Sequence, residues 1–491
     1  MSTQPAFGFS ISAAESLDFA RLSGDFNPLH IDPIRARRLQ FGGTVCHGVH
    51  LVLKAMDMMA AQGLVQPAQL QSISALFAAS VRNDLRVELV LASVPATAVL
   101  RLSASAGGKP LFSAKLGLGG DQIGGQVPVE ADADHAAEPD CAAFPQPGTL
   151  QGTASSVPLR LHRPLFAALF PFLAGLPQAA QLAADLLAST RIVGMRLPGL
   201  HSIYSELKLH RSLADDGPPR RSMDYVATKA DARFRSLRIS VQGGVLQGTL
   251  EAFFRAPPVD QPAISVVMQH VSSGRYAGQR ALVVGGSRGL GELAAKILLA
   301  GGAQVSLSYA RGQADAQRLG DEARRAGLDC QHLLIDASQP LPVATAHALA
   351  DAGYTHLYYF ATPQIVKSPA GSWNAALFDG YCRVYVQGFA EIVLAAASTS
   401  GRTQALRVLC PSTVFLDHAE PGFAEYCAAK AAAETLCDQL ALDPQVQVSR
   451  PRLPRMKTDQ TGSFLGSDAA DPLPVMLATL RAFCSPVDTI S

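Results

Sequence analysis

Residues 157–270 repeat the plan of residues 1–118, and beyond them the plan changes. In each of the two stretches an apolar helix precedes a meander of strands. The first copy reads "HGVHLVLKAMDMMAA", then "QSISALFAASV", "RVELVLASV", "TAVLRLSAS" and "KPLFSAKLGL". The second reads "RPLFAALFPFLAGLPQAAQLAADLLA", then "HSIYSELKLH", "SMDYVATKA", "RFRSLRISVQ" and "GVLQGTLEAFFRA". Such self-similarity predicts an internal duplication, each copy one buried helix with an antiparallel sheet. Residues 119–156, rich in Gly, Pro, Asp and Ala, read as a linker. From 279 to 491 strands alternate with helices, beginning "RALVVGGSRGLGELAAKILLAGGAQVSLSYAR". That alternation predicts a doubly wound parallel sheet with right-handed crossovers. The expected fold is therefore multidomain, α+β followed by α/β.

A helix wrapped by a curved antiparallel sheet is the hot-dog arrangement, and two such units joined edge to edge remove exposed strand edges. At 491 residues the chain is too long for one core. Its 41 Lys+Arg balance 40 Asp+Glu, giving no electrostatic reason to expect nucleic acid or an anionic membrane as partner. No apolar run is long enough to span a bilayer, and "MSTQPAFGFS" lacks the basic and apolar regions of a secretory signal. Eight cysteines without a CxxC pair fit reduced thiols, hence a cytoplasmic location.

Ser12-Ala-Ala-Glu15 is a capping box ahead of a first helix. Behind it lies "FARLSGDFNPLHIDPIRARRLQFGGTVCHGVH", Phe19 to His50. A metal reading needs His30, Asp32, His47 and His50 to converge, without a short-spaced zinc pattern to support it. A structural reading rests on the turn chemistry of Asp-Phe-Asn-Pro. The acid–base reading is preferred. Asp25 and His30 straddle an Asn-Pro turn that can fold a carboxylate and an imidazole onto one water. The backbone N–H of Gly48, at the start of the long helix, can stabilise negative charge on a thioester oxygen.

In the last region, Gly285, Gly289 and Gly291 of "VVGGSRGLGE" lie between a strand and a helix. Ser287, Arg288 and Leu290 complete the turn. Glycine lets backbone approach a pyrophosphate, and the helix N-terminus favours its charge. Tyr426 and Lys430, four apart in "AEYCAAKAAAETL", share one helix face, where an ammonium lowers the pKa of a phenol. Ser412 and Thr413 of "VLCPST" end a strand upstream. The second strand of this region ends "SLSYARG", with Arg311 and no acid. With Arg288, this favours NADPH over NADH, because an acidic residue there would repel a 2′-phosphate.

Residues 279–491 resemble the short-chain dehydrogenase/reductase family. The resemblance implies Tyr426 as the acid that protonates a carbonyl, and Lys430 as holding the nicotinamide ribose. Ser412 or Thr413 would orient the carbonyl, and Asp336, ending "LLID", would touch the adenine. Family spacing favours Thr413 and residue type favours Ser412. Where the family has Asn-Asn-Ala-Gly this chain has Tyr359-Phe360-Ala361-Thr362, and Tyr385 stands at the place of the family's catalytic asparagine. Residues 10–118 resemble MaoC-type (R)-specific enoyl-thioester hydratases through "SGDFNPLH" and "FGGTVCHG". That resemblance implies Asp25 and His30 as the water-handling pair and Gly48 as the oxyanion donor. Met56 replaces a serine that often assists farther along the helix. The second copy, which lacks the pair, would make room for the acyl chain.

Jointly these readings imply a bifunctional enzyme on acyl-CoA or acyl-carrier-protein thioesters. It would pair NADPH-dependent 3-oxoacyl reduction with 3-hydroxyacyl dehydration, as a homodimer by family resemblance. The alternatives are a hydratase carrying a nucleotide-binding relic, and a non-catalytic thioester-binding scaffold.

Overall fold

The computed structural model describes residues 7–39, 41–94, 98–119, 130–131, 149–212, 220–255, 259–461 and 469–484. The expected linker, 119–156, falls mostly outside these residues. The chain divides into two compact units after residue 257.

In the first unit the order is β1 (Phe7–Phe9), α1 (Ala13–Ser23), α2 (Pro28–Ile31), α3 (Pro33–Arg37) and α4 (Gly48–Ala61). Strands β2 (Leu70–Phe77), β3 (Val87–Val94), β4 (Val99–Ala106) and β5 (Lys109–Leu118) follow. The second half contains β6 (Glu130–Ala131), β7 (Ala154–Pro158), β8 (Arg160–Leu161), α5 (Arg163–Leu169), α6 (Pro171–Ala174) and α7 (Ala179–Arg191). It ends with β9 (Ser202–Arg211), β10 (Ser222–Asp231), β11 (Ser236–Gln242) and β12 (Leu246–Phe254). Ten strands form one sheet in the order β1-β3-β4-β5-β2-β9-β12-β11-β10-β7. The two halves are therefore mirror-ordered about the β2–β9 seam.

That seam is antiparallel and holds the halves by packing as well as by ladder hydrogen bonds. Ile73 lies opposite Leu209 and Ala75 opposite Leu207, and all four are buried. Truncating a buried leucine of this kind costs about 2–5 kcal/mol. Helix α4 buries most of its surface, including Val49, Leu53, Ala55, Met56 and Met59. Helix α7 does the same through Leu182, Ala183, Leu186 and Leu187. Each helix is buried over most of its length, as befits an element enclosed by a sheet and by the other helix.

The expected single helix of the second copy is in fact three. Pro171 starts α6 at a position where a missing N–H does no harm, and Pro177 precedes Gln178, whose φ of 60 interrupts the helix before α7. Two carboxylates tie these helices to their neighbours, Asp57 at the start of α6 and Asp185 at the turn between β11 and β12. Asp57 of α4 accepts N–H bonds from Phe172 and Leu173 at 2.9 and 2.8 Å. Asp185 of α7 accepts three from Gly244, Val245 and Leu246 at 2.7–2.8 Å. The capping box of α1 forms as read, with Glu15 N on Ser12 Oγ at 3.1 Å and Ser12 N on Glu15 Oε2 at 2.9 Å.

The second unit starts earlier than its first strand. Helix α8 (Ile264–Met268) packs on α9 (Gly289–Ala300). Its Ile264 N–H donates to Glu322 Oε1 at 2.6 Å, and Lys296 Nζ donates to Pro262 O at 3.0 Å. Residues 259–270 thus pack with the parallel sheet, although the repeat was expected to run to 270. Strands β13 (Arg280–Val284), β14 (Gln304–Tyr309), β15 (Cys330–Leu334), β16 (His356–Tyr359) and β17 (Leu406–Leu409) alternate with α9, α10 (Gln313–Arg325), α11 (Val343–Asp351), α12 (Ala375–Cys382) and α13 (Phe389–Ala397). Then come β18 (Ser412–Thr413), α14 (Ala424–Leu440), β19 (Val446–Ser449), β20 (Arg452–Leu453) and α15 (Pro472–Cys484). The six-stranded sheet has the order β15-β14-β13-β16-β17-β19, all parallel. The order reverses between β13 and β16, which opens a crevice at the carboxyl ends of these strands. Apolar side chains cover both faces of the sheet, Leu293 and Ile297 on one and Phe389 and Ile392 on the other. Among the described residues no helix is long and apolar enough to cross a membrane.

Candidate active sites

In the first unit, the loop after α1 gathers the titratable side chains. Gly24 ends α1 in the left-handed region, φ 75, and returns its N–H to Ala20 O. Asn27 caps α2 by accepting from Leu29 N, with Pro28 at the first helical position. Asp32 caps α3, accepting from Ile34 N and Arg35 N at 2.9 and 3.0 Å. This loop places Asp25, His30 and His47 together, with one ligand-capable atom of each within 4.8 Å of the others. Asp32 and His50 do not join them. Asp32 is engaged as a cap, and His50 stacks on Phe19 at 4.4 Å between ring centroids.

Each member of the group is oriented by a bond of its own. Thr190 Oγ1 donates to Asp25 Oδ2 at 2.7 Å, and Asn27 N donates to Oδ1 at 3.3 Å. His30 Nδ1–H donates to Val45 O at 2.7 Å, which leaves the Nε2 lone pair for substrate. His47 Nε2–H donates to the backbone carbonyl of Asp25 at 2.9 Å, and its ring stacks on His30 at 3.7 Å. Burial pushes His30 down to about 3, with His47 adding to the depression and Asp25 opposing it. His47 falls to about 4 for the same first reason. The Asp25 carboxyl is raised, mainly by burial and against the pull of His30 and Thr190. Burial therefore works against charge on the imidazole and on the carboxyl alike, and holds the two groups in reach of each other.

Gly48 is the first residue of α4, where a helix has no internal partner for its N–H. A Cβ there would meet the Phe77 ring at 2.8 Å, so glycine is what lets that ring approach. Met56 is buried in the core.

The second copy reaches this site, which sequence reasoning missed. Thr190 belongs to α7, and the π-turn Ile192–Arg196 brings Gly194 against Asp25. A Cβ on Gly194 would lie 2.1 Å from Asp25 Oδ1. Asn27 Nδ2 also donates across, to Gly194 O at 3.4 Å and Leu200 O at 3.3 Å. The one available signal was Thr-x-x-x-Gly at the end of the second apolar helix, which means nothing without the tertiary contact.

In the second unit the glycine-rich turn has the close contacts its residues suggested. Gly285 has φ 75, and a Cβ on it would lie 2.7 Å from the backbone of Ala361. A Cβ on Gly291 would lie 2.2 Å from Gly285 O. Ser287 is buried, Leu290 half-buried, and Gly289 has φ 58 at the start of α9. Only glycines allow this cradle, whose helix N–H groups suit a phosphate. Arg288 Nη1 is paired with Asp459 Oδ2 at 3.2 Å. Arg311 is exposed beyond β14. Asp336 closes a turn on Ser338, accepting its N–H and hydroxyl at 2.9 and 2.6 Å.

Tyr426, Lys430 and Thr413 converge at the end of β17. The Thr413 hydroxyl lies near enough to Tyr426 to favour its charged form, whereas Ser412 lies by Glu434. Lys430 was expected to lower the phenol. Burial dominates instead and pushes Tyr426 up to about 12. Lys430 Nζ donates to Pro411 O at 2.9 Å and sits 4.2 Å from the centroid of the Tyr385 ring. Tyr385 lies in the π-turn Arg383–Gly388, and its hydroxyl bonds Thr362 Oγ1.

Comparison with known proteins agrees with this division. Residues 3–105 match the family model of a MaoC like domain, and residues 279–462 that of a short chain dehydrogenase. A probable dehydratase, NIT22, of Ajellomyces capsulatus is 31% identical over 81 residues, 16% of this chain and 22% of that protein. The chain thus spans under a quarter of that relative's length. Among solved structures, a short chain dehydrogenase from Burkholderia cenocepacia J2315 in complex with NADP is 23% identical, with a TM-score of 0.38 over 43% of this chain and 91% of that one. A dehydrogenase/reductase from Sinorhizobium meliloti 1021 is 22% identical, with a TM-score of 0.37 over 45% and 91%. The chain carries a MaoC-like domain in its N-terminal part and a short-chain dehydrogenase domain in its C-terminal part.

Proposed function

We propose that the chain is a bifunctional enzyme on 3-oxoacyl, 3-hydroxyacyl and trans-2-enoyl thioesters of CoA or acyl carrier protein. The first unit is a double hot-dog (R)-specific hydratase/dehydratase, and the second an NADPH-dependent 3-oxoacyl reductase that supplies its alcohol. The single observation carrying this reading is the pairing of buried Asp25 with half-buried His30, each member oriented by a bond of its own.

For dehydration, His30 Nε2 takes the α-proton of the hydroxyacyl thioester. Asp25 gives its proton to the departing hydroxyl, and the Gly48 N–H bonds the thioester oxygen as charge builds on it. Hydration runs the same transfers in reverse. In the second unit the cradle at Gly285 and Gly291 fits a dinucleotide pyrophosphate, since a side chain at either glycine would fill it. A bound NADPH supplies hydride to the 3-oxo carbon. Thr413 orients the carbonyl, Tyr426 protonates its oxygen, and Lys430 holds the ribose hydroxyls. Placing both sites on one chain raises the local concentration of the shared alcohol.

Tyr385, with its ring beneath Lys430, favours one competing reading, in which the second unit binds nucleotide without turnover. Incubation with 3-oxobutyryl thioester and NADPH separates the two. The proposal expects NADPH oxidation, accumulation of alcohol and enoyl product, and loss of oxidation in Tyr426→Phe with hydration of crotonyl thioester retained. Hydration without NADPH oxidation leaves the lyase alone. Absence of both hydration and NADPH oxidation leaves a thioester-binding scaffold, and unchanged hydration in Asp25→Asn removes Asp25 from the chemistry.

A further inference from the structure

Arg255 follows β12 and is 5% exposed. Its Nη2 donates to Leu200 O, but Nε and Nη1 have no hydrogen-bond partner among the described residues. Three of the five guanidinium N–H donors are thus buried and unused. Leu200 O is also the acceptor for Asn27 Nδ2 at 3.3 Å, so the guanidinium stands beside the loop that carries Asp25 and His30. Its charge is felt at both His30 and His201. Among the described residues no carboxylate pairs with it in the way that Glu251 pairs with Arg238, or Glu434 with Arg452. A buried cation with open donors is costly unless an anion meets it.

We infer that Arg255 is a specificity residue of the first site, and that it takes a carboxylate carried on the acyl chain of the thioester substrate. The anion belongs to the acyl group because Arg255 is buried beside the Asn27 turn of the loop that carries Asp25 and His30. The phosphates of a carrier are polar groups that favour the solvent-exposed mouth of a site. A guanidinium also suits a planar carboxylate through paired N–H bonds. This inference rests on the hydratase reading for its substrate class, and its test separates the two.

The full-length chain is assayed with crotonyl thioester and with the matched 4-carboxy-2-butenoyl thioester. Binding of butyryl and glutaryl thioesters is measured by calorimetry, independently of turnover. The expected result is a preference of about tenfold or more for the carboxylated member in kcat/KM and in affinity. Arg255→Met should abolish that preference, costing the carboxylated substrate about tenfold or more beyond any change on crotonyl thioester, and Arg255→Lys should retain part of it. Equal loss on both substrates in a folded Arg255→Met assigns the guanidinium to structure and overturns the proposal. So does a wild type with no carboxylate preference, whether or not the variants fold. Tight, Arg255-dependent glutaryl binding without hydration of either enoyl thioester upholds the subsite and removes the lyase reading.

Discussion

Gly194→Ala tests whether the second copy shapes the site of the first. The added methyl carbon would stand 2.1 Å from Asp25 Oδ1 and 2.5 Å from Cγ, where ordinary contact begins at 3.4 Å. The carboxylate must therefore retreat by about 1.3 Å or the π-turn must shift by as much. A retreat breaks the 2.7 Å bond from Thr190 and moves the acid away from His30. Misplacing a reacting group by about 1 Å costs on the order of 100-fold in rate. Overpacking a tight interior costs about 1–3 kcal/mol in stability. The assay follows loss of enoyl absorbance in crotonyl thioester hydration, with urea unfolding alongside to separate rate from folding. We expect kcat to fall about 100-fold in a protein that still folds, with NADPH oxidation by the second unit unaffected. A variant with wild-type kcat and an unchanged unfolding midpoint refutes the contact between Gly194 and Asp25, and with it the participation of α7.

Thr190→Val removes the donor to Asp25 Oδ2 at nearly constant volume. We expect a fall of about tenfold in hydration at neutral pH and an acidic limb of the rate profile displaced toward higher pH, since the carboxylate loses a bond that favours its charge. His47 is held neutral by burial, pushed down to about 4 from the ordinary 6.5 of an imidazole. Its folded value is depressed, so its contribution is present above pH 6.5 and is lost as pH falls through that window toward 4. The loss between pH 7 and 5 is about 2 kcal/mol. Asp25 has the opposite sign, so the measurement is the difference in urea midpoint between wild type and His47→Gln at the two pH values; parallel curves contradict it. Asp459→Asn removes the carboxylate charge that faces Arg288 at 3.2 Å. If Arg288 faces a 2′-phosphate, KM for NADPH drops several-fold while KM for NADH stays constant, and an equal response to both cofactors disproves that role.

Local chemistry was legible in the sequence wherever an element depends on its own residues. The capping box at Ser12, the Asn27-Pro28 turn and the glycines at 285, 289 and 291 are local devices, and each forms as its residue types require. The alternation of strands and helices after 279 likewise specified a parallel sheet, because right-handed crossovers leave few other solutions. The period-two meanders of both copies specified antiparallel strands.

Tertiary structure decided what depends on residues far apart. Thr190 is 165 positions from the carboxylate it orients, and Ser72 meets His210 only because two sheet edges join. The nearness of the Thr413 hydroxyl to Tyr426, and the rise rather than fall of the Tyr426 pKa, follow from which side chains face one another and how much water is excluded. A sequence carries residue types and spacing, but desolvation and through-space contact exist only once the chain has closed on itself.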